Sequence, residues 1–291
     1  MYSHRVIGVV GAGSMGAGIA HLAAQHGNEV VLVDVVPDVL ERAMSYMNGL
    51  MDKSIAKGKL TEQDKQSILS RIRTSSSISE LRDAQVVIEA IIENSAAKQE
   101  IFRQLDEICA PEVILATNTS SISISSIASS TKRPDRVVGM HFFNPPQVMR
   151  LVEVVRGVET SDTTVAAARA LGEQLGKTTV EVKRDTPGFI VNRVMIPQFI
   201  EAIRLVEEGV ASKEDVDTAV KLGLNYPMGP FELQDFAGVE IGLHVMDVFF
   251  DELKDARYAA PQSLRALVRA GRLGRKVRRG WYDYTGGGKS E

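Results

Sequence analysis

The chain has 291 residues, enough for two unequal domains, because single hydrophobic cores stop growing at about 250–300 residues. Its formal charge of −3 at pH 7 argues against a nucleic-acid partner, because binding phosphate groups needs a concentrated positive stripe. The single cysteine excludes an intrachain disulfide, and without a signal-peptide core or an apolar run of roughly 18 residues we expect a cytoplasmic protein outside the membrane.

The N-terminal residues predict a βαβ unit. Residues 5–10 form a β-branched run that predicts a strand, and residues 15–26 carry small and apolar residues on one face, as a helix does. A second strand is predicted over 29–33, and it ends at Asp34. Helical and strand patterns then alternate, over residues 37–57, 61–72, 85–89, 113–116 and 137–140. This alternation predicts an α/β fold with a doubly wound, mostly parallel sheet.

The last strand of this region breaks the parallel pattern. Residues 151–155 follow the turn Asn144-Pro145-Pro146 too closely for a crossover connection, which needs a dozen or more residues. We therefore expect this strand to pair antiparallel with the strand before it.

The pattern changes to helices beyond residue 184. Long apolar and amphipathic stretches replace the strand signals, over residues 189–208, 213–222 and 231–253. The sequence thus predicts two domains, an α/β domain over residues 1–184 and an all-α C-terminal domain over 185–291, with Pro187 in the first turn of a helix.

A glycine turn joins the first strand to the first helix. Gly11 is suited to the turn itself, Gly13 lets backbone approach a pyrophosphate, and Gly16 allows close packing of the helix on the strand. The carboxylate of Asp34, at the end of the second strand, is placed to accept hydrogen bonds from ribose hydroxyls and to repel a 2′-phosphate. A Rossmann-type domain that binds NAD rather than NADP is predicted.

Three further apolar runs predict strands, and polar residues follow each of them. Ligands of such sheets bind beyond the carboxyl ends of the strands, where these polar residues lie. These segments are Glu89-Ala90-Ile91-Ile92-Glu93, Asn118-Thr119-Ser120-Ser121 and His141-Phe142-Phe143-Asn144. His141 is the candidate base, because Glu153 would meet it across the antiparallel pair and would orient and charge the imidazole. No metal site is predicted, and no G-x-S-x-G elbow surrounds Ser120, which argues against a nucleophilic serine.

These residues and further motifs resemble the L-3-hydroxyacyl-CoA dehydrogenases, and within them the bacterial 3-hydroxybutyryl-CoA branch. The resemblance covers nearly the whole chain. The motifs are G-A-G-S-M-G at 11–16, E-A-I-I-E at 89–93, N-T-S-S at 118–121, H-F-F-N-P at 141–145, L-V-E-V at 151–154, D-T-P-G-F-I-V-N-R at 185–193, P-M-G-P-F-E-L-Q-D at 227–235, G-R-K at 274–276 and G-W-Y-D-Y at 280–284.

The resemblance implies a role for each matching residue. His141 would take the proton of the substrate's 3-hydroxyl while C3 gives its hydride to NAD, and Glu153 would orient His141. Ser120 and Asn192 would hydrogen-bond the reacting oxygen, and Asn144 would contact substrate and cofactor. The implied cofactor contacts are Gly11, Gly13, Ser14, Met15, Gly16, Asp34, Glu93, Lys98, Ser120, Asn144 and Lys276.

Some of these residues have simpler alternatives. Lys98 and Lys276 could be ordinary surface charges, and Asn192 a structural helix amide. Residues 53–73 resemble the basic helical arm that meets the phosphates of CoA, with Lys57 as a candidate substrate contact, although the individual contacts do not align.

The resemblance also implies an acyl-CoA substrate and a homodimer formed through the helical domain. A sugar-acid dehydrogenase on the same scaffold is the alternative enzyme, and a non-catalytic NAD-binding protein is the alternative class. A dehydrogenase of the 3-hydroxyisobutyrate type would instead use a catalytic lysine.

Overall fold

The computed structural model describes residues 5–286. Its contacts divide the chain into two units, Met1–Thr186 and Pro187–Glu291. This division lies in the same stretch, between the last strand and the next helix, as the boundary predicted after residue 184.

The described residues of the first unit form one sheet of eight strands in the order β3-β2-β1-β4-β5-β6-β7-β8. The strands are β1 (Val6–Val10), β2 (Glu29–Val33), β3 (Ile72–Ser75), β4 (Val86–Glu89), β5 (Ile114–Thr117), β6 (Val137–Phe142), β7 (Leu151–Val155) and β8 (Thr178–Val182). Neighbouring strands run parallel except β6 and β7, which pair antiparallel. The predicted doubly wound, mostly parallel sheet is confirmed, and so is its antiparallel pair.

Two strands were absent from the sequence prediction. The helical pattern over 61–72 was too long, because its helix ends at Ser70 and Ile72 already belongs to β3. β3 and β8 lie at the two edges of the sheet and carry exposed polar residues such as Arg73 and Thr178. An edge strand of this kind has no continuous apolar run for a sequence pattern to detect.

Helices cover the sheet of the first unit. They are α1 (Ser14–Gln25), α2 (Pro37–Ala56), α3 (Glu62–Ser70), α4 (Ser95–Ile108), α5 (Ile124–Ala128) and α6 (Asp162–Gln174). Polar side chains begin several of them by accepting a hydrogen bond from a backbone N–H three residues on, at Thr61, Asn94, Ser123 and Ser161. Each such cap stabilises its helix by about 1 kcal/mol.

The core of this unit lies between the sheet and α1. Every residue of α1 from Gly16 to Ala24 is buried, and most of them are glycine or alanine. Small side chains let the helix axis approach the strands, where fully buried residues such as Ile7, Val9 and Leu32 receive it. The close approach holds the N-terminus of α1 at the carboxyl edge of the sheet.

The second unit is helical, as predicted. Its helices are α7 (Val191–Glu207), α8 (Lys213–Leu224), α9 (Pro230–Ala237), α10 (Val239–Leu253) and α11 (Gln262–Arg269). The prediction that Pro187 begins a helix is wrong, because Gly188 and Phe189 have φ angles of +71° and +53°. These left-handed residues cannot continue an α-helix, and α7 starts only at Val191.

The apolar stretch over 231–253 forms two helices. Gly238, with a φ of +109°, separates α9 from α10. Within residues 5–286, no helix combines the length and apolar character required to cross a bilayer.

Two buried carboxylates hold the second unit together. Asp217 of α8 accepts hydrogen bonds from the backbone N–H groups of Phe231 and Glu232, at 2.8 and 3.0 Å, and from the Tyr282 hydroxyl at 2.8 Å. Asp235 binds the C-terminal segment by accepting from the backbone N–H groups of Trp281 and Tyr282 and from the Tyr284 hydroxyl. Burial raises the pKa of the Asp217 carboxyl, although its hydrogen bonds act in the opposite direction.

We expect Asp217→Asn to lower the free energy of unfolding by about 2–3 kcal/mol, because an amide nitrogen replaces one accepting oxygen and at least one buried donor loses its partner. Urea unfolding followed by the fluorescence of Trp281, the single tryptophan, measures this change. The control is Asp251→Asn, at an exposed position of α10, which should change the same quantity by less than about 0.5 kcal/mol. Equal effects of the two variants would contradict the role given to Asp217.

Candidate active site

Backbone atoms pack tightly against two of the three glycines in the turn after β1. Gly11 has a φ of +98°, and a Cβ there would lie 2.6 Å from the carbonyl oxygen of Ala90. A Cβ on Gly16 would collide with the carbonyl oxygen of Gly11. At Gly13 a Cβ would meet no heavy atom of the described residues within 4 Å. The turn is therefore open only around Gly13, where a ligand can approach the backbone.

A cavity of about 290 Å³ lies against this turn, between α1 and α2. Its lining residues are Ala12, Gly13, Ser14, Ala17, Val39, Arg42, Ala43 and Tyr46. The first N–H groups of α1 have no partner within the helix, so they favour an anion at this position. Arg42 adds a positive charge that the sequence analysis missed, because a single arginine on an amphipathic helix carries no distinctive signal. Met15 was also expected to contact the cofactor, and its side chain packs against the hydrophobic core.

Asp34 stands at the carboxyl end of β2, beside the turn. Its Oδ2 accepts a hydrogen bond from the backbone N–H of Ala12 at 2.8 Å, and its Oδ1 accepts one from Val36 at 3.0 Å. The carboxylate is half-buried, so these two bonds hold it in one orientation at the edge of the sheet.

Lys98 of α4 is buried between two carboxylates. Its side chain is 1% exposed, and Nζ lies 2.6 Å from Oε1 of Glu89 and 3.5 Å from Oε2 of Glu93. Glu89, at the end of β4, also accepts a hydrogen bond from the Thr117 hydroxyl at 2.7 Å. The alternative that Lys98 is an ordinary surface charge is wrong. Charges this deep persist only when they are paired and hydrogen-bonded, as these are.

Glu93 holds the loop that follows β5. Its Oε1 accepts hydrogen bonds from the Thr119 hydroxyl at 2.6 Å and from the backbone N–H groups of Ser120 and Ser121 at 2.9 and 3.1 Å. Burial by itself would raise the pKa of Glu93, but Lys98 and these hydrogen bonds outweigh it and lower the pKa. The position of Ser120 thus depends on an ionised Glu93.

His141 and Glu153 face each other across β6 and β7. They are directly opposite in the antiparallel register, and Nδ1 of His141 lies 2.7 Å from Oε2 of Glu153. His141 is 6% exposed and Glu153 is fully buried, so little water competes for this hydrogen bond. The ring of Phe143 packs on the imidazole with 4.5 Å between ring centroids.

Asn118 joins the strand ends that carry these groups. Its backbone N–H donates to the carbonyl oxygen of Glu89 at 2.8 Å, and its Oδ1 accepts from the backbone N–H of Phe142 at 2.9 Å. The carboxyl ends of β4, β5 and β6 are therefore tied together. Asn144 follows β6 in an exposed loop.

The remaining candidate residues lie elsewhere in the chain. Lys57 is exposed at the C-terminal end of α2. Asn192, half-buried in the first turn of α7, belongs to the second unit, as does Lys276, which forms an ion pair with Glu240. Their predicted contribution to the site stays a prediction. Among residues 5–286, no cluster of three or more His, Cys, Asp or Glu side chains is arranged to hold a metal ion.

Glu93→Gln tests the role of Glu93 in holding the Ser120 loop. Because the pKa of Glu93 lies below its usual 4.5, its stabilisation is complete above that pH and is lost as the pH falls through the lowered pKa. We expect the variant to lose about 1–3 kcal/mol of unfolding free energy at pH 7 and to converge with the parent protein as the pH falls through the lowered pKa of Glu93.

Urea unfolding at a series of pH values, followed by circular dichroism, makes this measurement. The matched control is Glu107→Gln, at an exposed position of α4, which should differ little from the parent at any pH. A deficit for Glu93→Gln that did not change with pH would contradict an ionised Glu93.

Known proteins match the chain over nearly its whole length. The family model for the 3-hydroxyacyl-CoA dehydrogenase NAD binding domain matches residues 6–186, and the model for the C-terminal domain matches 188–284. The probable 3-hydroxybutyryl-CoA dehydrogenase of Bacillus subtilis is 49% identical over 276 residues, which cover 95% of this chain and 96% of the relative. The human mitochondrial hydroxyacyl-coenzyme A dehydrogenase is 44% identical over 284 residues, with 95% of this chain and 90% of the relative covered.

A solved structure shows the same similarity in three dimensions. The crystal structure of (S)-3-hydroxybutyryl-CoA dehydrogenase from Ralstonia eutropha has a TM-score of 0.94 to this chain at 47% identity, with 97% of this chain and all of the other covered. The prediction of NAD as cofactor is confirmed by the match to the NAD binding domain. The chain belongs to the 3-hydroxyacyl-CoA dehydrogenase family and is an NAD-dependent dehydrogenase.

Proposed function

We propose that this enzyme oxidises a short-chain (S)-3-hydroxyacyl-CoA to the 3-oxoacyl-CoA and also catalyses the reverse reduction. The observation that carries the proposal is the buried His141–Glu153 pair, with 2.7 Å between Nδ1 and Oε2, at the ligand-binding edge of the NAD-binding sheet. The substrate class is supported by the names of the relatives from B. subtilis and R. eutropha, both 3-hydroxybutyryl-CoA dehydrogenases.

The glycine turn and its surroundings fit NAD. Backbone around Gly13 is open to a pyrophosphate, and the adjacent cavity of about 290 Å³ leads towards α2. We assign the pyrophosphate to the turn and the adenosine ribose to Asp34, whose carboxylate disfavours a 2′-phosphate. The residues of the turn are Gly11, Gly13, Ser14, Met15 and Gly16. When bound, NAD accepts the hydride from C3 of the substrate.

His141 is the general base in the direction of oxidation. Glu153 accepts a hydrogen bond from Nδ1–H, which leaves Nε2 as the basic nitrogen of the neutral ring. Nε2 takes the proton of the 3-hydroxyl, and the imidazolium that forms is stabilised by the buried carboxylate. In the reverse direction the same imidazolium returns the proton to the oxygen.

Ser120 and Asn192 hydrogen-bond the reacting oxygen in this proposal. Donors aimed at that oxygen hold C3 in line for transfer and stabilise the charge that builds up while the carbonyl forms. Ser120 is supported by the hold of Glu93 on its loop, and Asn144 by its place directly after β6. Asn192 rests on the family motif.

Glu93 and Lys276 are proposed NAD contacts away from the glycine turn, together with Ser120 and Asn144. Lys98 was expected to contact NAD as well. Because its ammonium is buried against Glu89, we propose that Lys98 acts on the cofactor through Glu93, whose other oxygen lies 3.5 Å from Nζ.

The far end of the substrate and the partner subunit are also proposed. Lys57, at the exposed end of α2, is a candidate contact for the phosphates of CoA.

The helical unit would form a homodimer, because it exposes an apolar cavity of about 380 Å³ among α7, α8 and α9. Leu224, one of its lining residues, is 60% exposed.

One assay tests the substrate class. We expect NADH consumption with acetoacetyl-CoA to exceed that with acetoacetate or with a 3-oxo sugar acid by at least about a hundredfold in kcat/KM, because binding of the remote CoA supports catalysis at C3. Loss of NADH absorbance measures all three. Equal or higher rates with the sugar acid would replace the CoA assignment, and activity on none of them would refute the proposal.

His141→Gln tests the base. We expect kcat to fall by about 10²–10⁴-fold, because general-base catalysis contributes about this much. The dissociation constant for NADH, measured by fluorescence titration, should stay within about twofold, because the glycine turn is unchanged. His244→Gln, at an exposed position of α10, is the control and should retain kcat. Retained turnover in His141→Gln would remove His141 from the mechanism.

A further inference from the structure

Lys177, immediately before β8, is a buried cation that the proposed reaction does not use. It is 8% exposed, and Nζ donates hydrogen bonds to the carbonyl oxygens of Pro146 at 2.6 Å and of Met149 at 2.8 Å. Both acceptors are backbone groups rather than a carboxylate. Burial lowers the pKa of this ammonium. Burying a charged ammonium costs free energy, and the hydrogen bonds to these two carbonyls offset that cost.

The two carbonyls belong to the loop that joins β6 to β7. This loop follows the strand that carries His141 and precedes the strand that carries Glu153. Asn144, the proposed substrate and cofactor contact, lies within it. Lys177 reaches the loop because β7 and β8 are parallel and Leu151 is paired with Thr178, the residue after Lys177. The ammonium therefore connects the far edge of the sheet to the loop of the proposed site.

The same loop is also in close contact with α1. A Cβ on Gly18 would lie 2.8 Å from Cδ and 2.9 Å from Cγ of Pro146, and 3.0 Å from Oε1 of Gln147. A proline ring cannot rotate away from such a contact as a flexible side chain can. Any side chain at position 18 would therefore force the loop to shift.

The loop also forms one wall of a cavity of about 320 Å³, through Pro145, Gln147 and Val148. The other walls come from α1, from α2 and from the residues that lead into α3, including Lys59. A shift of the loop would therefore change the shape of this cavity as well as the position of Asn144.

We propose that Lys177 is a positioning residue of the dehydrogenase: its ammonium, together with the close contact of Gly18 with Pro146, holds the 143–150 loop in the place that catalysis requires. The effect on turnover rests on the proposed function, whereas the hold on the loop does not. Lys177 acts through Asn144 and the cavity wall, without touching the reacting atoms.

The first experiment measures the hold on the loop without any substrate. Lys177→Met keeps an unbranched side chain one atom shorter and removes its donors. We expect amide hydrogen exchange, followed by mass spectrometry, to become at least tenfold faster in peptides covering residues 144–150 and to stay unchanged in peptides of the glycine turn. Lys183→Met, at an exposed position after β8, is the matched control and should leave both regions unchanged.

The second experiment measures the consequence for the reaction. With acetoacetyl-CoA and NADH, we expect Lys177→Met to lower kcat at least tenfold and to raise KM for the thioester several-fold, while the NADH dissociation constant rises by a smaller factor, because Asn144 is one of several proposed NAD contacts. Lys177→Arg keeps the charge and the donors, and should recover part of kcat. A merely structural lysine would not produce this split between the thioester and NADH.

Gly18→Ala disturbs the loop at Pro146 and leaves Lys177 intact. Alanine favours the helical state over glycine by about 0.5–1 kcal/mol, so α1 should stay folded while the loop moves. We expect the same loss of kcat, and this variant decides the question if Lys177→Met does not fold.

Unchanged exchange of the loop in Lys177→Met would overturn the proposal, and so would faster exchange with normal kinetics. Full activity of Gly18→Ala would also overturn it. An unaltered enzyme that is inactive on acetoacetyl-CoA would refute the proposed function, and the exchange experiment would still decide whether Lys177 holds the loop.

Discussion

The antiparallel pairing of β6 with β7 is the constraint on which the site depends. Side chains alternate between the two faces of a strand, so a shift of one residue in this register would put His141 and Glu153 on opposite faces. The observed register sets them directly opposite each other at hydrogen-bond distance. The short turn after Asn144 forces this direction, because the connection is too short for a crossover. The proposed catalytic pair is thus specified by the way two neighbouring strands are joined.

The buried charges near this pair fix the positions of loops. Replacing a buried ion pair with apolar residues is often neutral or stabilising in proteins, whereas removing one partner is costly. Lys98 with Glu89 and Glu93 forms such a group, and through Glu93 it determines where the backbone of Ser120 lies. We assign the same kind of role to Lys177, with carbonyl oxygens as acceptors. Burying such charges costs free energy, and here they fix the positions of two loops at one edge of the sheet.

Sequence patterns predicted the elements that are determined by residues close together in the chain. The glycine turn, the buried parallel strands and the helical second unit each follow from φ preferences, apolar runs or helical periodicity. Edge strands were missed because exposed polar residues such as Arg73 interrupt the apolar pattern. Pro187 was placed in a helix because its own φ is suitable, but Gly188 and Phe189 adopt positive φ angles that the pattern does not reveal.

The sequence by itself determined the family, the NAD-binding fold and the identity of the candidate catalytic residues, because motifs and periodicity are properties of neighbouring residues. Only the tertiary structure decided which of these residues meet. Lys98 looked like a surface charge or a cofactor contact, and its burial against Glu89 follows from the packing of α4 on the sheet. Asp217 and Lys177 carried no signal at all, because their partners are backbone groups distant in the chain. Contacts of this kind depend on how the elements pack, and no local pattern records that.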